Sequence, residues 1–136
     1  MFSSLDVSTS ALVAQRTRLN TISSNMANIS TTRNERGQSQ PYQARYVTFQ
    51  TDSNITTPGG GAGVKVGSVE YSHALPRMKY DPGHPDADAQ GYVRYPAIDM
   101  TTEFVDALEA SRAYEANIGV IEVSKDMAQN TLKIIA

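Results

Sequence analysis

Residues 81–88, Asp-Pro-Gly-His-Pro-Asp-Ala-Asp, hold the densest group of metal-type ligands in the chain. Asp81, His84, Asp86 and Asp88 together would suit a hard cation, but their spacing matches no calcium loop, and the only other histidine is His73. The plainer chemistry is a rigid Pro/Gly turn whose carboxylates accept local backbone N–H groups. The glycine run Gly59–Gly63 invites comparison with phosphate-binding loops. It is followed by Val64-Lys65 rather than Gly-Lys-Ser/Thr, and no helix pattern comes next. Neither a nucleophile elbow nor a His-Glu-x-x-His pair is present, and the chain has no cysteine. Glu109, Glu115 and Glu122 lie on one helical pattern and read as its solvated or partner-facing side. Asn25 and Asn28, three apart, can each bond neighbouring backbone, which suits a specified helix contact or a helix end. The residues therefore predict no enzyme, no cofactor and no metal.

The helix breakers divide the chain. All six prolines lie from Pro41 to Pro96, and eight of nine glycines from Gly37 to Gly91. Seven of the ten aromatic residues fall in the same stretch. The spacing predicts helix, turn-rich β segment, helix, an α+β fold. The segments are 1–36, a β-rich 37–98 with a flexible Gly-rich loop at 56–63, and 99–136. Strands are expected over 42–49, 64–66, 69–71, 78–80 and 92–95, where β-branched and aromatic residues alternate.

The last segment has the clearest period. Met100, Phe104, Ala107, Ser111, Tyr114, Ile118, Ile121, Lys125, Ala128, Leu132 and Ile135 follow a 4-and-3 spacing. Asp99, or Thr101 with Thr102, can cap its start. As a helix it would be about 57 Å long, too long for one small globule to cover. In the first segment Leu5, Leu12, Leu19 and Met26 recur every seven residues, joined by Ile22 and Ile29. The Ser, Thr and Asn around them make a helix that is marginal alone and ends near 28–32.

Charge agrees with pairing of the ends. Residues 1–36 carry Arg16, Arg18, Arg33 and Arg36 against Asp6 and Glu35. Residues 99–136 carry seven acids against Arg112, Lys125 and Lys133. The whole chain, with 12 basic and 14 acidic residues, is not a nucleic-acid binder by composition. No apolar run approaches the ~18 residues of a membrane span. The first residues lack the basic and apolar regions of a secretory signal, so any export is expected without a cleaved one.

Ser10-Ala11-Leu12, Arg18-Leu19-Asn20 and Ile22–Thr31, with Ser-Asn-Met-Ala-Asn at Ser24–Asn28, resemble the N-terminal signature of flagellar rod and hook axial proteins. Further blocks resemble a proximal-rod member of that family: 37–50, 63–66, 80–93 and 110–117. The resemblance covers essentially the whole chain in the family's order. It implies a structural subunit, exported unfolded through the flagellar type III apparatus. Such subunits polymerise through terminal helices, with a coiled-coil core, into a hollow torque-carrying rod across the periplasm. Partners would be copies of itself, other rod proteins, the export apparatus and basal-body rings, with no nucleic acid and no membrane insertion. The expected assembly interface is Leu5, Leu12, Leu19, Ile22, Asn25, Met26, Asn28 and Ile29 with Phe104, Tyr114, Ile118, Ile121, Leu132 and Ile135. Alternatives are another rod protein of the same family or a cytoplasmic coiled-coil adaptor.

Overall fold

The computed structural model describes residues 2–135. Its elements are α1 (Phe2–Ala27), β1 (Arg45–Thr56), β2 (Ala62–Tyr71), β3 (Arg77–Tyr80), β4 (Tyr92–Tyr95) and α2 (Met100–Ile135). Two helices flank two antiparallel hairpins, the α+β class expected. Of the residues named above, Ile135 closes α2, and its side chain lies outside the described residues.

α1 holds its helix despite its hydroxyl content because the hydroxyls turn inward on the helix itself. Thr17 donates to the Val13 carbonyl and Thr21 to that of Thr17, at 3.0 Å each. The helix stops at Ala27 because Asn28 caps it. The Asn28 side-chain amide donates to the Ser24 carbonyl at 2.8 Å, and its carbonyl oxygen accepts the Thr31 hydroxyl at 3.0 Å. α2 starts on Asp99, whose carboxylate accepts the Thr101 N–H at 3.3 Å and the Thr102 hydroxyl at 3.0 Å.

The β1–β2 hairpin lies along α1. Its turn is shorter than the loop expected over 56–63. Thr56 already pairs with Ala62, and Thr57 closes the end by taking the Gly61 N–H on its hydroxyl at 2.8 Å. Gly63, expected in a loop, is a buried strand residue instead. A Cβ there would sit 2.8 Å from Ile55 and 3.2 Å from the Ser10 hydroxyl. That close approach lets Ser10 accept the Val64 N–H at 3.0 Å. β1 begins at Arg45 rather than at Tyr42, because the Tyr42 N–H is taken by the Thr31 carbonyl at 3.1 Å.

The β3–β4 hairpin pairs Met78 with Arg94 and Tyr80 with Tyr92. Among the described residues its backbone approaches neither helix and neither strand of the other hairpin. Val93 on β4 is fully buried, whereas every residue of β3 is exposed. Gly91, at φ +83°, turns the chain into β4 beneath the Tyr80 ring.

The buried apolar residues are Ala14, Ile22, Ala44, Val93, Ile98 and Ala110, mostly small. The accessible surface is 9225 Å². A compact monomer of 14.8 kDa exposes about 7,000 Å² by the usual scaling, so roughly 2,000 Å² is in excess.

Candidate assembly surfaces

The polar side chains that set the helix geometry meet at one junction. Asn25, 2% exposed, faces β1 as another strand would. Its amide donates to the Arg45 carbonyl at 2.7 Å and its oxygen accepts the Arg45 N–H at 2.9 Å. The same amide lies 3.3 Å from both Glu103 oxygens on α2. Tyr42 donates its hydroxyl to the Asn25 oxygen at 3.2 Å. The Arg45 guanidinium reaches the Tyr42 hydroxyl at 3.1 Å and the Ser24 hydroxyl at 2.9 Å. Beside them Arg18 bridges α1 to Asp106 at 3.4 Å and Glu109 at 3.2 Å. Burial holds the Glu103 carboxyl above its usual range; the Asn25 bond opposes this and nearby Asp106 adds to it. The Tyr42 hydrogen bond raises the Arg45 guanidinium. Arg18, Asn25, Arg45, Glu103 and Asp106 line an open groove. Arg18 meets the Asp106 and Glu109 carboxylates, Arg45 the Tyr42 and Ser24 hydroxyls and Glu103 the Asn25 amide, an arrangement that fixes helix positions.

A second polar contact ties residues 81–91 to the segment after α1. Asp86 accepts the Thr32 hydroxyl at 2.7 Å and the Arg33 Nε–H at 2.6 Å. The Thr32 bond, with Arg33 beside it, holds the Asp86 carboxyl below its usual range against the opposing effect of burial. His84 accepts the Asp86 N–H on Nδ1 at 3.1 Å and sets its ring edge to Tyr95. Asp88 accepts the Gln90 and Tyr92 N–H groups at 2.9 Å each. Of the four residues weighed as metal ligands, His84 and Asp88 thus accept backbone N–H groups and Asp86 accepts from the Thr32 and Arg33 side chains. Among the described residues no group of three His, Asp or Glu is placed to hold a metal.

The helices run antiparallel, because Arg18 faces Asp106 and Glu109 while Asn25 faces Glu103. Carried to Phe2, this offset ends α1 opposite roughly residue 125, leaving about 15 Å of α2 beyond it. The face of α2 turned to α1 carries Glu103, Ala107, Ala110, Tyr114, Asn117, Ile121, Ser124 and Ala128. The expected seam is therefore split. Tyr114 and Ile121 are half-buried on this inward face. Phe104 at 56% and Ile118 at 38% exposure lie off it, and Leu132 at 66% continues the row past the end of α1. On α1, Ile22 is buried, and Leu5, Leu12, Leu19, Met26 and Ile29 are half-buried. Asn28 is half-buried at its cap, and Asn25 is enclosed. The sequence reading missed Arg18, Glu103, Asp106 and the Thr32–Asp86 contact. The available signal was opposite charge at helical spacing on the two ends.

The outward side of α2 interleaves charged residues with apolar ones: Val105, Leu108, Val120, Val123 and Met127 are each about half exposed or more, as are Leu132 and Ile134 in the overhang. No helix is long and apolar enough to cross a membrane among the described residues.

Comparison with known proteins places this architecture. Residues 5–33 match the family described as "Flagella basal body rod protein". Residues 89–134 match "Flagellar basal body rod FlgEFG protein C-terminal". The flagellar basal-body rod protein FlgC of Salmonella typhimurium is 45% identical over 130 residues, covering 95% of this chain and 93% of that protein. The FlgC proteins of Borreliella burgdorferi and Bacillus subtilis are each 39% identical, covering 99% and 98% of this chain and 97% of their own lengths. With two terminal helices presenting apolar faces around a small β region and relatives matched nearly end to end, the chain belongs to the FlgC family of flagellar basal-body rod proteins.

Proposed function

We propose that the chain is a structural subunit of the flagellar basal-body rod and polymerises through its terminal helices into the shaft. The observation that carries this reading is the inverted distribution of apolar residues. The buried ones are few and mostly small, while Phe104, Val105, Leu108, Val123, Met127 and Leu132 stay exposed along one helix. The excess of roughly 2,000 Å² over a compact monomer is more than twice the ~800 Å² that one partner contributes to a standard protein interface, room for more than one neighbour. In this reading residues 1–36 and 99–136 form the rod core and residues 37–98 the outer module. The subunit sits in the periplasmic part of the rod and travels there through the export apparatus without a cleaved signal. Its neighbours are further copies, other rod proteins and ring components. Force transmission, rather than catalysis, is the work such a surface performs.

The test is a deletion of the chain's gene, complemented by a tagged full-length copy. Deleted cells should fail to swim and lack a rod, and the tagged chain should copurify with basal bodies. Swimming deletion cells, with the tag absent from basal bodies, would overturn the reading.

A further inference from the structure

Gly119 lies in the middle of α2, and nothing in its own chain calls for a glycine there. Within a helix, glycine is destabilising relative to alanine. The φ of Gly119 is not positive, and a Cβ added to it would meet nothing within 4 Å beyond its own helical turn. A helical glycine with open space beside it leaves room for another backbone to come close.

Gly119 belongs to the outward row of α2. At 100° per residue, Val105, Leu108, Ala116, Val123, Met127 and Ile134 fall on the side opposite the α1-facing row, and all six are exposed. The row is about 44 Å long. Turned end for end about a point between Gly119 and Val120, it falls on itself, with Val105 against Ile134 and Ala116 against Val123. The same operation brings Arg112 level with Asp126. Both are exposed, and neither makes an ion pair among the described residues. They fall on the same side of the row's midline, and a two-fold axis across the helices keeps that side in common. A parallel copy in register would instead set Arg112 against Arg112.

We propose that two copies of the free chain pair antiparallel through the outward rows of α2, crossing at Gly119, with Arg112 of each copy against Asp126 of the other. This rests on the rod-subunit reading and adds a regulation of its assembly face. A two-fold contact uses one patch on both chains and closes at two, whereas a rod grows through unlike surfaces that leave a free end. The pair therefore covers Val105, Val123 and Met127 before incorporation and comes apart as the rod takes up the row. Ala116 and Gly119 let the helices approach, the larger side chains supply apolar area, and the two charge pairs set orientation and register.

The purified full-length chain should sediment as a dimer that dissociates on dilution. R112E and D126R should each weaken the dimer by about tenfold or more, since two attractive pairs become repulsive, and R112E/D126R should restore it. Gly119→Leu should weaken it as well while leaving helix content undiminished, because leucine is the better helix former. A chain that is monomeric at every soluble concentration overturns the proposal, and so does a dimer indifferent to R112E. Cross-linking is independent of how these variants fold, because the chain has no cysteine of its own. Ala116→Cys chains mixed with Val123→Cys chains should form an oxidised dimer, and neither should cross-link with itself. Self-cross-linking without the mixed product shows a parallel pair and overturns the proposal. In cells making both cysteine chains, the cross-linked pair should be found in the soluble extract and be missing from basal bodies; finding it in basal bodies overturns the resting role. Failure of the rod-subunit reading looks different: the unaltered chain would itself be missing from basal bodies, whatever its state in solution.

Discussion

Replacing Asn25 tests whether the junction of α1, β1 and α2 sets the helix geometry. Asn25→Ala leaves the Arg45 N–H and C=O without the partners they have at 2.9 and 2.7 Å, and the Tyr42 hydroxyl without its acceptor. A buried backbone group left unpaired costs roughly 1–3 kcal/mol; with some water entering the open groove, the total is about 2–4 kcal/mol. For a chain of this size that lowers Tm by about 8–16 °C. Asn25→Asp is the sharper probe. It keeps an acceptor for the Arg45 N–H, loses the donor to the Arg45 carbonyl, and puts a carboxylate where the amide now lies 3.3 Å from Glu103. At pH 7 it should be at least as destabilising as Asn25→Ala. Burial already raises Glu103 above its ordinary 4.5, and a second carboxylate raises it further. A folded-state value above the unfolded one means stability is regained as pH falls from neutrality toward 4.5. Urea unfolding of the monomer at pH 7 and pH 5 measures both effects. A cost below about 0.5 kcal/mol for Asn25→Ala would refute the clamp. So would an aspartate variant more stable than the alanine one at pH 7.

Gly91→Ala should destabilise the β3–β4 hairpin by about 1–2 kcal/mol, because φ is +83° and the new Cβ would lie 2.9 Å from the Tyr80 ring; amide exchange at Val93 and Tyr95 reads it. Leu132→Asp should leave monomer stability within about 0.5 kcal/mol, since Leu132 is 66% exposed, yet block incorporation into basal bodies. Glu103→Gln should remove the gain in stability that unaltered chain shows as pH falls toward 4.5, measured by urea midpoints across that range. Asp86 has the opposite sign. The Thr32 bond and Arg33 lower it, so its contribution is present above 3.8 and is lost as pH falls through the depressed folded value. Asp86→Asn should flatten that acid limb in the same measurements.

The order of helix, β segment and helix was legible because Pro and Gly are confined to 37–96 apart from Gly119, and because Asp99 was among the caps offered for the start of α2. The inward face of α2 was not. Apolar period marks every face that is buried anywhere, including in an assembly, and it drew the line through Phe104, Ile118 and Leu132. Within one chain α1 offers Arg18 and Asn25, so Glu103 and Asp106 turn inward and Ala110 fills the gap between helices. Gly63 was misread for a related reason. A glycine beside three others suggests a loop, whereas close packing on Ser10 and Ile55 also demands a residue without Cβ.

This division of labour has a mechanical consequence. Small residues such as Ala14 and Ala110 at the helix contact bury little area, so directional bonds at Asn25, Arg18 and Asp86 must set how the elements sit. Such bonds specify geometry more than they stabilise it, with a net contribution of about 0.5–1.5 kcal/mol each. The large side chains that would stabilise a monomer point outward instead, and each contributes only where a neighbour covers it. In the proposed rod such a subunit would be weakly held alone and rigid among neighbours. Loss of the junction at Asn25 should therefore weaken the monomer and misalign the outer face together. Loss of an outer residue such as Leu132 should affect assembly alone.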